Sequence, residues 1–333
     1  MTRRVILLAL AVFAVAAAFA GAAAPEGPRL AIVAQKYGKE VITMGPLGED
    51  PLQIVHPNHV GSGSIPSWSA DGSRLVFTAN VYPDDDPVLG AVDADGGNLR
   101  IYPRVRLELG DPVMAPDGRS AAFTRIRIFR YGPGRTLSFR ISVWSFDFQK
   151  RTLRRLTRWR GEYLLPSSYS PDGSALAATR SDGRRFRAVA IDLRTGRTSL
   201  LARNAALPMY APDGSSFAFV RWKPWDPTGV KEEASAVGEL RVGRIGAPVG
   251  SRRLVRMRGF LSWPSWDPSG QRLAFVNSRD EDPGDRGLEE GNRVMAINPD
   301  GTCLTKVFSD PDMTLYGAAW QPGTGREAGP ITC

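Results

Sequence analysis

The sequence predicts an all-β fold, a six-bladed β-propeller of four-stranded blades with a composite N/C-terminal closing blade. Three observations predict it. The stretch Pro66–Asn80, PSWSADGSRLVFTAN, returns as PVMAPDGRSAAFTR from Pro112, SSYSPDGSALAATR from Ser167, PMYAPDGSSFAFVR from Pro208 and PSWDPSGQRLAFV from Pro264, with a worn copy, AAWQPG, from Ala318. A second half-repeat follows the full copies, around DADGGN, FDFQKR, DLRTGR and NPDGT, so each unit is hairpin plus hairpin. Four-stranded units at this recurrence mean a propeller, because a lone blade cannot bury its two faces. Finally, the amino-terminal strands lack a turn-bearing partner while the last copy has nothing after it. The count closes only if those strands join Ala318–Trp320.

Each repeat carries its own reason. An extended segment ends on a bulky residue (Trp68, Met114, Tyr169, Tyr210, Trp266, Trp320) and meets a turn such as Ala115-Pro116-Asp117-Gly118. Proline presets φ for the first central position, aspartate suits the second, and glycine takes the left-handed position that closes the hairpin. The strand that follows is apolar on both faces, as a strand sandwiched between neighbours must be. A small column (Val76, Ala122, Ala177, Ala218, Ala274) runs beside an aromatic one (Phe77, Phe123, Phe219, Phe275). Blades packed face to face need that interlock of large against small.

Taken in order, the chain opens with Thr2-Arg3-Arg4, an apolar run from Val5 and the small-x-small site Ala18-Phe19-Ala20. Residues 1–20 read as a secretory signal peptide, leaving 25–333 as the propeller. The alternative is an uncleaved anchor, since the run on to Ala24 reaches the ~20 residues that span a bilayer. Ala31–Val33, Val41–Met44 and Leu52–Ile54 read as the three unpartnered strands, and HPNHVGSGS (56–64) as a loop into the first full repeat. The first full blade then takes strands near Leu89–Val92 and Leu99–Tyr102. The 333 residues, 42% hydrophobic with 35 glycines and 26 prolines, are ample for such an array and poor in long amphipathic stretches.

These repeats resemble those of TolB-type six-bladed propellers, whose W-S-P-D-G and D-A-D-G elements they carry. The resemblance covers essentially everything after the signal. It implies the fold and says little about function. TolB has an α/β domain ahead of its propeller. Here a short segment separates Ala20 from Ala31, so no counterpart is expected and a Tol–Pal role is not implied.

Cys303 follows the third-to-fourth-strand turn of the last full blade, and the tail beyond Trp320 reaches Cys333 on the same side. In an exported chain this pair is expected to form a disulfide. The net charge of +9 includes Arg3 and Arg4. The remaining basic residues are spread over blade edges without a reading helix, so nucleic acid is not expected as a partner.

No catalytic constellation is present in the sequence. G-x-S-x-G, a P-loop, a dinucleotide glycine pattern and Cys/His zinc spacing are all lacking, and no cofactor is expected. Candidate ligand residues gather instead on the face of the second-to-third-strand and blade-to-blade loops. They are His56 and His59, the run Asp84-Asp85-Asp86, Arg127 and Arg130 within RIRIFRYGPGR, Trp222 and Trp225, and Asp280 and Asp282. The turns of the opposite face repeat almost unchanged, whereas these loops vary in length, charge and aromatic content, as ligand-bearing loops on a scaffold do. Trp222 and Trp225 suit a partner surface, or equally packing on a neighbouring loop. The expected function is that of an exported, non-enzymatic binding module for a protein or cell-envelope polymer, monomeric, with no membrane span after signal cleavage. Its place is extracellular, cell-wall-associated or periplasmic. The alternative is a metal-dependent hydrolase or lyase using His56, His59 and Asp84–Asp86.

Overall fold

The computed structural model describes residues 29–35, 39–44, 52–55, 65–81, 86–131, 136–158, 161–223, 237–278, 292–310, 314–323 and 329–333. The closing blade is composite, as the sequence requires. Strand β24 (Thr314–Trp320) is hydrogen-bonded to β1 (Leu30–Gln35), which continues to β2 (Lys39–Met44) and β3 (Leu52–Val55). Leu30 lies opposite Trp320 and Ile32 opposite Ala318. Five further sheets of four strands complete the ring. The first comprises β4 (Ser67–Trp68), β5 (Arg74–Val81), β6 (Asp86–Asp93) and β7 (Arg100–Arg106). The second has β8 (Leu109–Met114), β9 (Ser120–Tyr131), β10 (Thr136–Asp147) and β11 (Thr152–Arg155). In the third are β12 (Tyr163–Tyr169), β13 (Ala175–Ser181), β14 (Phe186–Asp192) and β15 (Thr198–Arg203). The fourth is β16 (Ala206–Tyr210), β17 (Ser216–Lys223), β18 (Val237–Arg244) and β19 (Ala247–Arg258). The fifth is β20 (Phe260–Trp266), β21 (Leu273–Ser278), β22 (Arg293–Ile297) and β23 (Thr305–Ser309).

The repeated turns form as their chemistry demands. Gly118 N–H donates to Ala115 O (2.9 Å), and the turn glycines sit at φ +66, +65, +70, +68 and +72°. In four copies the aspartate accepts the backbone N–H two residues on, at 2.9–3.0 Å for Asp71, Asp117, Asp172 and Asp213. Where serine precedes the turn (Ser69, Ser170), its hydroxyl accepts the N–H of the residue that opens the next strand. The fifth copy exchanges the two. Asp267 takes the serine position and accepts from Arg272 N–H (2.9 Å), while Ser269 stands where aspartate stands elsewhere.

Each junction between neighbouring blades has its own apolar cluster, and the predicted interlock operates across it. Val76 and Phe123 share one cluster, Ala177 and Phe219 another, and Ala218 and Phe275 a third. The small residue of one blade thus receives the ring of the next. Hydrogen bonds stitch the inner strands as well. The hydroxyls of Ser67, Ser168 and Ser265 accept the backbone N–H of Met114, Tyr210 and Trp320 in the following blade. The indoles of Trp68 and Trp266 donate to Ala319 O and Met209 O of the preceding blade.

Two strand ends differ from expectation. Arg125–Arg135 does not form a loop throughout: β9 runs on to Tyr131, because Ile126 and Ile128 alternate with Arg125 and Arg127 and pair with Ile141 and Phe139 of β10. Likewise Trp222 lies in β17, opposite Gly238.

The tail is tied to the fifth blade. Asn298 Nδ2 donates to Ile331 O (2.9 Å), Ile331 N–H donates to Asn298 Oδ1 (2.8 Å), and Cys303 and Cys333 form a disulfide. The bridge closes a loop with a sequence separation of 30. Replacing both cysteines by serine is expected to cost about 3 kcal/mol on the chain-entropy estimate. Denaturant unfolding of the two proteins checks this, and an unchanged midpoint would show that the tail needs no covalent tie. No helix among the described residues is long and apolar enough to cross a membrane.

Candidate functional site

The first strands of the blades converge on a funnel of about 460 Å³ that opens on the face of the Pro-Asp-Gly turns. The bulky residue that ends each of these strands lies in its wall: Trp68, Met114, Tyr169, Tyr210, Trp266 and Trp320. The repeat places them there because each precedes the turn that reverses the chain at the mouth. Prolines of the turns, among them Pro116, Pro171 and Pro212, form the rim. The wall is apolar and aromatic, the composition of surfaces that bind protein and small organic groups. Its geometry is fixed by the hydroxyl and indole bonds between blades, so the side chains are held in place before any ligand arrives.

Two acids, Asp111 and Asp267, break the apolar wall. Asp111 of β8 lines the funnel three residues before Met114 and is buried. Burial pushes its carboxyl up to about 7, against the opposing hydrogen bonds from Thr78 Oγ1 (2.8 Å) and the backbone of Ile65. The folded protein therefore holds a proton on Asp111 between pH 3.8 and about 7, where the unfolded chain has released it. Stability is expected to fall as pH climbs through that window, since the native state binds more protons there. Urea unfolding as a function of pH checks this. Asp111→Asn should flatten the profile, and an equally steep profile in the variant would refute the assignment. Sequence reasoning passed over Asp111; the available signal was a lone acid inside the inner-strand segment GDPVM.

The residues singled out on the opposite face are distributed as follows. His56, His59, Asp84, Asp85, Trp225, Asp280 and Asp282 lie outside the described residues. Asp86 opens β6 and Arg130 lies in β9. Arg127 is exposed, directly opposite Arg140 on β10. Trp222 is half-buried, with its indole donating to Leu261 O (2.9 Å) and its ring against Phe186 and Phe260, at 6.0 and 5.9 Å. It packs on the next blade. Among the described residues there is no group of three or more His, Cys, Asp or Glu that could hold a metal.

Six four-stranded blades around an aromatic funnel, closed by strands from both ends of the chain, make this a propeller of the TolB-like kind. Solved structures bear that out. The chain is similar to TolB from Acinetobacter baumannii, with 19% identity over 89% of this chain and 67% of that one, TM-score 0.66. A chain from a nidogen/laminin complex shares 15% identity over 89% of this chain and 99% of that chain, TM-score 0.61. A putative TolB from Agrobacterium tumefaciens shares 18% over 89% of this chain and 99% of that one, TM-score 0.56. At these identities the likeness establishes the fold. No family profile matches the sequence, and no curated protein matches it.

Proposed function

We propose that the chain is an exported, non-enzymatic binding module whose partner is a protein or an envelope polymer. The observation that carries this reading is the funnel, a preorganised concavity walled by aromatic, proline and methionine side chains. The similar chain from the nidogen/laminin complex supports the use of this scaffold in protein association. The disulfide between Cys303 and Cys333 is consistent with an oxidising compartment. A second contact surface on the opposite loop face, reaching Arg127 and Arg130, is favoured by the length of the β9–β10 ribbon that carries both.

Affinity capture from an envelope fraction, quantified by partner titration, tests both surfaces. Tyr210→Ala in the funnel is expected to weaken capture about tenfold, as loss of a buried aromatic anchor does. Charge reversal at Arg127 and Arg130 should weaken it too, mainly at low salt. Reversal at Arg194 and Arg197, in the turn between β14 and β15, should change little. If that control loses as much as the others, or if neither funnel nor ribbon variant loses anything, the reading fails.

A further inference from the structure

Between the third and fourth blades, on the face opposite the funnel mouth, lies a separate cleft of about 320 Å³. Its walls come from three places in the chain. Arg184, Arg185 and Phe186 stand at the connection from β13 to β14, Asn204 at the crossing between blades, and Arg221 and Trp222 at the end of β17. Three arginines thus line one small space, and no acidic residue among the described residues lines it.

Two acids among the described residues near the cleft hold other groups. Asp182 Oδ1 accepts the backbone N–H of Arg184 (3.0 Å) and of Arg185 (2.8 Å), which fixes where those two residues start. Its Oδ2 pairs with Arg187 at 3.3 Å. Glu239, opposite Arg221 across the β17–β18 ladder, is taken by Arg241 at 2.9 Å and Arg253 at 3.6 Å.

Arg221 is the fixed member. Its Nη2 donates to Arg203 O (3.2 Å), and its guanidinium carbon lies 5.4 Å from the centre of the Phe219 ring. Its Nε is buried with no hydrogen-bond partner among the described residues. A guanidinium held partly out of water with an unused donor is unfavourable in the empty protein, and an oxyanion within reach of the group offsets that cost. The remaining wall is rigid and apolar: Phe186 and Trp222 meet edge to face at 6.0 Å, and the Trp222 indole is anchored on Leu261 O. Asn204 holds a left-handed φ of +48°, which turns the crossing segment at the cleft's edge.

We propose that this cleft binds the oxyanion of a sugar-sized ligand, a carboxylate or a phosphate monoester, with Arg184, Arg185 and Arg221 as the cationic side and Phe186–Trp222 as the apolar side. The volume sits at the small end of ligand pockets and fits one such unit. Planar guanidinium groups bind both oxyanions in paired hydrogen bonds. Because the cleft lies between two blades away from the funnel, the proposal stands whether or not the funnel docks a partner.

Titration calorimetry with glucuronate, glycerol 3-phosphate and neutral glycerol tests it on the whole chain. At least one anion is expected to bind saturably, weakening with added salt, while glycerol does not bind. Saturation by glucuronate alone assigns the site to carboxylates, and by glycerol 3-phosphate alone to phosphate monoesters; binding of both assigns it to oxyanions generally. Replacing Arg184 and Arg185 together by glutamine should weaken binding about tenfold, as loss of charge-assisted hydrogen bonds does, without moving the melting temperature. The same exchange at Arg194 and Arg197 should leave binding intact. The proposal is overturned if neither anion saturates the wild-type chain, if R184Q/R185Q binds as tightly as wild type, or if R194Q/R197Q weakens binding equally.

Discussion

Ending the chain before Asp312 is expected to unfold the whole propeller rather than fray one edge. The deletion removes β24, and with it Leu315, Ala318 and Trp320, each at most 3% exposed and packed with Leu30 and Ile32 of β1 and Ala274 and Val276 of β21. It also removes Ala319 O, which accepts the Trp68 indole, and Cys333, which ties the tail to the fifth blade. Loss of a buried leucine or tryptophan alone costs about 2–5 kcal/mol, and a domain has only about 5–15 kcal/mol to lose. Ring closure makes the penalty global, because both neighbours of the missing strand lose an apolar face. Thermal unfolding followed by circular dichroism checks it. A truncated chain with the wild-type melting temperature would show that the two ends do not need each other.

Gly72→Ala should cost far more than Gly118→Ala, although both glycines close the same turn at nearly the same φ, +66 and +65°. Alanine in the left-handed region costs about 1 kcal/mol at either position. At Gly118 the added methyl meets only the Ser69 Cβ, at 3.4 Å. At Gly72 it would fall 1.9 Å from the carbonyl oxygen of Pro322, where the segment leaving β24 crosses the turn and Gln321 Nε2 donates to Gly72 O (2.8 Å). Backbone has to move there, which raises the expected cost to about 3 kcal/mol or more. Melting temperatures of the two variants should drop by about 5 °C or more and by about 1.5 °C respectively, at the slope usual for a chain of this size. Equal drops would mean that the crossing segment yields freely.

The fold was legible because its determinants are local and repeated. Proline, aspartate and glycine at fixed offsets specify the hairpin, and Ala177 beside a strand that answers with Phe219 specifies blade against blade. The disulfide was legible because strand parity puts Cys303 and the tail on one side of the ring. Other features depend on residues far apart in sequence. Whether Trp222 faces solvent or a neighbour is decided by Leu261 and Phe260 of the next blade, and nothing near Trp222 announces them. The cleft of Arg184, Arg185 and Arg221 escaped notice for the same reason, since its parts come from three connections that only the ring brings together. The swap at Asp267 and Ser269 preserves the turn while disguising its signature, so WDPSG reads as a weaker copy than it is. Arg125–Tyr131 read as loop because its charges drew the eye from the period-two alternation beneath them.

The composite blade also sets an order of assembly. A chain made from its amino terminus presents β1, β2 and β3 first, yet their innermost neighbour, β24, is synthesised last. Until Thr314–Trp320 arrives, β1 keeps an unpaired edge and its buried face has no cover on one side, the condition under which strands join the wrong partner. The five blades between can form in turn from contacts close in sequence, but the final pairing of Leu30 with Trp320 closes a loop of nearly the whole chain. No contact close in sequence guides that pairing, so the blades between must first bring the two ends of the chain together.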